Sequence, residues 1–315
     1  QLDFSCPDIP YEKLWIKERY TYESDKVIGR DGTIYYLRSS VPANVAELVA
    51  LNPDGSEKWV CELRQAYTPG ITPVIGKDGS IICAASGIYV YENSGKNYKY
   101  IPGNIFAVTP EGKVKWQYTS KEPSYSDYIG PILLAPNGEI YIMSFNGLGG
   151  NDGNYSEVFI MAIDPRTGKE RMVYRIKNAE SNIDMVMGKN GTILVFYKQF
   201  DEHININKLL AIDTNGRKKW EVSGKLNQYG RYDKGIVSMP AIGSDNTVYG
   251  IYEKIVPETI SYHLAAYDDK GKLKWMSSAF LENELMYAWV SAPVISDDGT
   301  IYVYAYPIDI YSHVY

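Results

Sequence analysis

The sequence is poor in the residues that build metal and redox sites. Its 315 residues include three cysteines, Cys6, Cys61 and Cys83, and three histidines. The cysteine spacing matches no zinc pattern, and three thiols allow at most one internal disulfide, for which Cys6 with Cys61 is one alternative. We therefore expect no metal and no cofactor.

Two further absences limit the partners and the location of the chain. No apolar run approaches the roughly 18 residues of a membrane-spanning helix. Acidic residues exceed basic ones, 38 against 32, and this net charge of −6 argues against a nucleic-acid-binding face. The chain begins with Gln1, which we interpret as a processed or excised product. Few cysteines, many tyrosines and Asn/Gly-rich loops favour an extracellular or cell-envelope protein.

Tyrosine is abundant, 29 residues against 7 phenylalanines, which is typical of an all-β protein. A phrase such as VIGRDGTIYYL recurs six times, and the turn residue of each copy is Asp31, Asp78, Asn137, Asn190, Asp245 or Asp298. Asp-Gly or Asn-Gly between apolar runs predicts a β-hairpin in which both turn residues take positive φ.

A second phrase, as in LVALNPDGSEKWV, recurs five times and predicts another hairpin. Each repeat of about fifty residues then supplies four antiparallel strands. The strand after the first turn is apolar on both faces: Ile34 and Tyr36 against Tyr35 and Leu37, and Ile301 and Val303 against Tyr302 and Tyr304. A sheet covered on both faces, repeated in this way, predicts a β-propeller. A linear stack would need polar capping repeats, and none is visible.

The two ends of the chain each hold an incomplete repeat. Residues 12–19, EKLWIKER, match a fourth strand without the first three, and the sixth repeat stops before its fourth strand. We therefore predict a single domain over residues 1–315: a six-bladed propeller of four-stranded antiparallel blades. The ring closes where residues 12–19 pair with the last blade, residues 290–315, which also removes exposed sheet edges.

These phrases resemble the repeat of the quinoprotein, or PQQ-like, propeller superfamily over nearly the whole chain. AIDPRTGKERM matches its signature in Ala162, Asp164, Thr167 and Gly168, with Met172 where tryptophan is expected. The resemblance implies enzymes that are usually eight-bladed, with adjacent cysteines and a bound calcium. This chain has no adjacent cysteine pair and two blades fewer, which argues against quinone-dependent dehydrogenase activity and favours the non-enzymatic members.

The repeat itself explains many residues that could otherwise be interpreted as functional-site residues. Five tryptophans occupy one equivalent position and are interpreted as packing between blades: Trp15, Trp59, Trp116, Trp220 and Trp275. Cys83 is interpreted as a core residue. The lysines that precede four of these tryptophans are expected on a solvated edge: Lys58, Lys115, Lys219 and Lys274.

The tight Gly turns are expected on one face and the longer connections on the other, where ligand sites belong. The links between blades are rich in aromatic residues and carboxylates. The candidate ligand-binding residues are Tyr125, Asp127, Tyr128, Asp184, Tyr229, Arg231, Tyr232, Asp233, Tyr287 and Trp289. Aromatic rings stack on sugars and carboxylates accept hydrogen bonds from hydroxyls, although loop Tyr and Asp also commonly satisfy the backbone.

Three other features leave alternatives open. His203, His263 and His313 lie near predicted third strands and either converge on a metal or are ordinary strand-end residues. Residues 147–154 echo a calcium-binding turn without its stacked partner and are interpreted as a flexible, partner-contacting loop. Residues 89–104 form the longest insertion, for which we expect a small hairpin.

Two functions are consistent with these features. The first is an exported, non-catalytic propeller that binds a protein or glycan partner through its long-loop face. The second is a polysaccharide lyase or hydrolase with acid and base residues at the channel mouth, for example Asp127 with Asp184 or Asp233 with His263. Because no nucleophile–base–acid constellation is readable, the first is preferred.

Overall fold

The computed structural model describes residues 23–40, 45–65, 71–85, 88–92, 97–101, 103–119, 131–146, 156–179, 183–201, 204–226, 232–256, 259–283 and 288–307. All regular elements within these ranges are β-strands, and all pairs are antiparallel. The prediction of an all-β fold is therefore confirmed. The strands fall into six successive groups, here called sheets 1 to 6.

Sheets 1 and 2 are four-stranded and follow chain order from one edge to the other. Sheet 1 contains β1 (Val27–Ile28), β2 (Ile34–Ser40), β3 (Val45–Leu51) and β4 (Glu57–Gln65). Sheet 2 begins with β5 (Val74–Ile75) and β6 (Ile81–Ala85), continues through an inserted hairpin of β7 (Ile88–Glu92) and β8 (Asn97–Ile101), and ends with β9 (Asn104–Val108) and β10 (Val114–Thr119). The hairpin expected in the long insertion is thus confirmed.

Sheets 3 and 4 repeat the pattern, and their strands β14 and β16 pair at one position, Ala179 with Gln199. Sheet 3 contains β11 (Leu133–Leu134), β12 (Ile140–Asn146), β13 (Ser156–Ile163) and β14 (Glu170–Ala179). Sheet 4 contains β15 (Asp184–Met187), β16 (Ile193–Asp201), β17 (Ile204–Ile212) and β18 (Lys218–Ser223). A short hairpin of β19 (Lys225–Leu226) and β20 (Tyr232–Asp233) lies in the link that follows.

Interrupted strands distinguish sheets 5 and 6. Sheet 5 contains β21 (Gly235–Ile236), β22 (Ala241–Ile242), β23 (Val248–Val256), β24 (Thr259–Tyr267), β25 (Leu273–Met276) and β26 (Leu281–Asn283). The described part of sheet 6 contains β27 (Ala288–Val290), β28 (Val294–Ile295), β29 (Ile301–Tyr302) and β30 (Ala305–Pro307), in which β27 pairs with β30 and β28 with β29.

The hairpin after each first strand exists as predicted, but its turn differs from the expected one. In sheet 1, the Gly32 N–H donates to the Gly29 carbonyl and the Gly29 N–H donates to the Thr33 carbonyl. Gly32 has a φ of 81°, whereas Asp31 is not among the residues with positive φ. The expectation that both turn residues take positive φ is therefore wrong. This is a type I turn followed by a glycine bulge, held by Asp31 Oδ1, which accepts the Thr33 N–H at 3.1 Å.

The core consists of layers between successive sheets. One buried cluster joins each pair of neighbours from sheets 1 and 2 to sheets 5 and 6. Between sheets 1 and 2, Leu37 and Leu48 pack against Phe106 and the fully buried Cys83. The interpretation of Cys83 as a core residue is confirmed, and burial raises the pKa of its thiol. Cys61 lies in the same layer as a free thiol, while Cys6 lies outside the described residues.

The repeated tryptophan ties sheet 1 to sheet 2, sheet 2 to sheet 3 and sheet 4 to sheet 5. The Trp59 indole N–H donates to the carbonyl of Pro110 at 2.9 Å, and in the same way Trp116 donates to Pro165 at 2.6 Å and Trp220 to Asp269 at 2.9 Å. Each acceptor belongs to the second Gly turn of the next sheet. Packing between sheets is thus confirmed for these three residues, whereas Trp15 lies outside the described residues and Trp275 is 42% exposed.

The lysines that precede the tryptophans are more than a solvated edge. Lys58 donates to Thr33 Oγ1 at 2.9 Å and lies 3.3 Å from Asp31 Oδ2, and Lys115 lies 2.7 Å from Asp78 Oδ2. Lys219 and Lys274 make the equivalent contacts to the first turns of sheets 4 and 5. The sequence interpretation missed this role because the two turns of a sheet become neighbours only after the strands pair.

Sheet 6 departs from the expectation that both faces are covered. Ile301 is partly buried and Val303 packs against sheet 5, but Tyr302 and Tyr304 on the opposite face are 60% and 67% exposed. At the other end of the series, Tyr36, Val49 and Leu51 of sheet 1 are buried in a cluster whose described members all belong to sheet 1. Residues 12–19 and 308–315, which were predicted to complete sheet 6, lie outside the described residues.

The lowered pKa values of the turn aspartates predict that acid lowers the free energy of unfolding. Hydrogen bonds from the Ser296 hydroxyl and the Thr300 N–H lower the pKa of Asp298 from 3.8 to about 2, and similar bonds lower the pKa of Asp31, Asp245 and Asp268. A carboxyl with a lower pKa in the folded state stabilises the fold above its unfolded pKa, and this contribution is lost as the pH falls through the folded pKa.

We therefore expect the free energy of unfolding, measured by urea titration, to fall between about pH 4 and pH 2. The Asp298→Asn variant has lost one titrating group and is expected to show a shallower fall. A stability that stays constant across this range would contradict the role of these turns.

Candidate functional site

The first strands of neighbouring sheets converge on one another. β11 contacts β15, and β22 contacts β28. Between sheets 1 and 2 the contact is polar, because Thr72 Oγ1 donates to Asp25 Oδ2 at 3.4 Å. Both residues stand six positions before the aspartate of their own first turn, and the residues at this position in sheets 1 to 6 are Asp25, Thr72, Pro131, Asp184, Met239 and Ala292. The side of the sheets on which these residues lie, opposite the Gly turns, is here called the loop-side mouth.

Asp184 is the second carboxylate at this position. The residue is solvent-exposed, and its Oδ1 accepts the N–H of Met185 at 2.8 Å. Removal of the carboxyl group from bulk water by surrounding atoms raises its pKa, and the backbone hydrogen bond opposes this rise only in part. A ligand that donates hydrogen bonds can therefore reach a carboxylate that water solvates incompletely.

A second polar group, here called the rim cluster, lies where the link enters sheet 5. Glu253 on β23 is 3% exposed, and its Oε1 lies 3.0 Å from Lys234 Nζ, at ion-pair distance but without the alignment of a hydrogen bond. Asp233 accepts the N–H of Ile255 at 3.0 Å. Burial raises the pKa of Tyr252, and the Asp233 charge adds to this rise. The cluster thus combines two carboxylates, an ammonium group and a phenol.

His263 on β24 pairs across the strands with Tyr252 of the rim cluster. Its Nε2 lies 3.0 Å from Ser261 Oγ and its Nδ1 lies 3.0 Å from the Ser277 carbonyl, so both ring nitrogens are engaged between the outer strands of sheet 5. Both ring nitrogens thus have partners other than Asp233, and the pairing of His263 with Asp233 as acid and base stays a prediction. The described part of the chain holds no cluster of three potential metal ligands, and His203 and His313 lie outside it.

The structure describes the side chains of three of the candidate residues. It places Asp184 at the loop-side mouth and Asp233 in the rim cluster, whereas Trp289 lies on the open face of sheet 6, 70% exposed and paired across the strands with Tyr306. Tyr232 pairs with Leu226 in the linking hairpin. The remaining candidates lie outside the described residues: Tyr125, Asp127, Tyr128, Tyr229, Arg231 and Tyr287.

Sequence reasoning missed Thr72, Lys234, Tyr252 and Glu253. Glu253 carried a signal in the sequence, because it lies five positions after the start of the second strand, where the other five repeats have no acidic residue: Ser39, Ser86, Phe145, Lys198 and Tyr306. Thr72 carried none, since a threonine beside a proline in a link is ordinary. Its role depends on the approach of two first strands that are far apart in sequence.

The described residues include no helix with the length and hydropathy to cross a bilayer. The loop-side mouth presents two carboxylates, Asp25 and Asp184, and the hydroxyl of Thr72, which donates to Asp25. Carboxylates and hydroxyls in this arrangement suit a ligand with many hydroxyl groups.

Comparisons with known proteins give a likeness of fold. No protein-family model matches the chain, and no curated protein matches it in sequence. An ulvan lyase from a new family of polysaccharide lyases is similar over 85% of this chain and 72% of its own, with 11% identity and a TM-score of 0.51. Virginiamycin B lyase from Staphylococcus aureus is similar over 92% of this chain and 85% of its own, with 17% identity and a TM-score of 0.46.

At these identities the likeness concerns the fold alone. The ulvan lyase match and the stacked four-stranded antiparallel sheets together support a β-propeller. They do not single out the PQQ-like superfamily among propellers. The chain has a β-propeller fold.

Proposed function

We propose that this protein is a non-catalytic binding module, exported to the cell envelope or beyond, that holds a glycan at the loop-side mouth of its propeller. The observation that carries the proposal is the contact between Thr72 and Asp25, since equivalent positions of neighbouring sheets there present polar side chains to one another. Asp184 stands at the same position in sheet 4 and is open to solvent.

The chemistry of these groups favours a hydroxyl-rich ligand. Each carboxylate accepts hydrogen bonds from sugar hydroxyls, and a hydrogen bond to a charged group contributes about 1.5–3 kcal/mol. The rim cluster adds Lys234 as a donor, with the buried Glu253 as its ion-pair partner. Because Lys234 and Glu253 are already paired, they are preorganised, and a ligand does not have to order them.

The same proposal includes the finer architecture: six blades, with residues 12–19 as the outer strand of the last one. In this arrangement Trp15 occupies the repeat position of Trp59, and the residue of sheet 1 equivalent to the acceptor Pro110 is Pro53. The buried sheet 1 face around Tyr36 supports a cover of this kind. Closure also requires the exposed face of sheet 6 to pack on sheet 1.

One observation favours a second candidate, a polysaccharide lyase or hydrolase. Desolvation raises the pKa of Asp184, which is the direction that a general acid requires. In hydrolysis Asp184 protonates the leaving oxygen of the glycosidic bond, and a second carboxylate, for which Asp127 is the sequence candidate, takes a proton from the attacking water.

A glycan array followed by affinity measurement tests the proposal. We expect a defined set of glycans to bind, and Asp25→Asn and Asp184→Asn each to weaken binding about tenfold, because each removes a charged acceptor. Asp297→Asn makes the same charge change at an exposed turn on the opposite side and is expected to leave the affinity unchanged.

Two results would overturn this function. Either no glycan binds, which leaves a protein partner for the long-loop face, or both mouth variants bind as well as the unmodified protein. Release of shorter glycans by the unmodified protein, abolished in Asp184→Asn, would establish the lyase or hydrolase instead.

A further inference from the structure

The opposite end of the first strands holds a separate cavity of about 360 Å³. Its lining comes from the first turns of three successive sheets: Lys77 of sheet 2, Leu134, Ala135 and Pro136 of sheet 3, and Met187 and Lys189 of sheet 4. This cavity, here called the turn-side mouth, therefore combines an apolar wall with two ammonium groups. Its size suits a small ligand.

The two lysines belong to a recurring position, the residue before the turn aspartate or asparagine. Across the six sheets this residue is Arg30, Lys77, Pro136, Lys189, Ser244 and Asp297. Cations thus occupy the position in sheets 1, 2 and 4, although the whole chain has a net charge of −6. The Lys77 ammonium donates a hydrogen bond to the Pro136 carbonyl of the neighbouring sheet. This bond holds the positive charge at the cavity, and the uncharged carbonyl does not neutralise it.

Two carboxylates beside this mouth form ion pairs with cations that do not line the cavity. Asp78 pairs with Lys115 at 2.7 Å, and Glu139 pairs with Arg171 at 3.0 Å. Both cations stand on the fourth strands of their sheets, β10 and β14. In sheet 4 the turn residue is the uncharged Asn190. Among the described residues, neither Lys77 nor Lys189 forms an ion pair, and the positive charge at the cavity is therefore uncompensated.

We propose that the turn-side mouth binds an oxyanion, carried as a sulfate, phosphate or carboxylate group on a small ligand, between the ammonium groups of Lys77 and Lys189. The Lys77 side chain retains donors beyond the one that the Pro136 carbonyl accepts, because an ammonium group carries three N–H bonds. Leu134 and Met187 supply the apolar surface on which the body of the ligand rests. This site is independent of the glycan proposed at the other mouth.

Nuclear magnetic resonance titration of the 15N-labelled protein tests the site with three probes: inorganic sulfate, inorganic phosphate and glucuronate. We expect saturable shifts at the amides of Gly138 and Gly188, which flank the cavity. The Lys77→Gln/Lys189→Gln double variant is expected to bind the preferred anion about tenfold or more weakly. The probe that binds most tightly identifies the anionic group.

The matched control is Lys270→Gln/Lys272→Gln, which removes two exposed charges from the second turn of sheet 5. Its affinity is expected to stay within about twofold of the unmodified protein, because solvent and salt screen distant charges. Equal weakening in both double variants would show diffuse attraction and overturn the site, as would the absence of saturation with all three probes. Asp184→Asn is expected to leave these shifts unchanged, which separates this test from that of glycan binding.

Discussion

Replacing Trp220 with alanine is expected to lower the free energy of unfolding by about 3–5 kcal/mol, the range for a large aromatic residue removed from a core. Trp220 is 8% exposed and packs between sheets 4 and 5, and its indole N–H donates to the Asp269 carbonyl at 2.9 Å. The variant therefore loses apolar contacts and leaves a carbonyl without its donor. Urea titration monitored by circular dichroism measures the change.

Trp275 provides the matched control because it occupies the same repeat position in sheet 5 with less burial. It is 42% exposed and lies 6.0 Å, between ring centroids, from Tyr249. We expect Trp275→Ala to cost about 1 kcal/mol, since much of its surface is already in water. Equal losses in the two variants would contradict the view that the tryptophan stabilises the fold by docking onto the next sheet.

The same measurement on Trp15→Ala tests the proposed closure. If Trp15 docks onto Pro53 as the other tryptophans dock onto their acceptors, its removal is expected to resemble that of Trp220. A loss no larger than that of Trp275→Ala would remove the support for closure by residues 12–19.

Replacing Gly216 with alanine is expected to destabilise the protein by about 4 kcal/mol or more, which is exceptional for a single methyl group. Gly216 has a φ of 80°, and a Cβ added there would lie 1.9 Å from the carbonyl oxygen of Val173 in sheet 3. This contact is with backbone, so no side-chain rotation relieves it. Sheets 3 and 4 must separate, or the turn must change.

Gly138→Ala separates this steric effect from the backbone strain common to both glycines. Gly138 has a φ of 91°, but an added Cβ would meet no atom within 4 Å. Its substitution is therefore expected to cost only the strain of a left-handed conformation, about 1–2 kcal/mol. If both variants lose the same free energy in urea titration, the close approach of the Gly216 turn to Val173 is not a determinant of stability.

The sequence predicted the elements well because each depends on residues close together in the chain. The turn at Asp31 and its five equivalents are local signals, and each of them joins the two strands of the expected hairpin. The predicted turn type was wrong because an Asp-Gly pair is compatible with two turn conformations. The side chain of Asp31 decides it by accepting the Thr33 N–H, a contact that the pair alone does not reveal.

The features that the sequence failed to predict depend on contacts between sheets. The packing role of Trp59 could be inferred from its repetition, but its acceptor, Pro110, stands in the next repeat. The contact of Thr72 with Asp25 forms only when the first strands of sheets 1 and 2 meet. Glu253 is likewise buried only when its strand packs in the fold. Trp289 is a ligand-site candidate because of its place in a link; it pairs with Tyr306 on the exposed face of sheet 6, and its ligand role stays a prediction.

The most direct test of the central proposal is carbodiimide labelling of carboxylates, read by mass spectrometry, with and without a glycan selected on the array. The proposal predicts that the glycan protects Asp25 and Asp184 at the loop-side mouth, while Asp297 at the opposite turns is labelled equally in both samples. Protection of Asp297 instead, or equal labelling of Asp25 and Asp184 with and without the glycan, would contradict binding at this mouth.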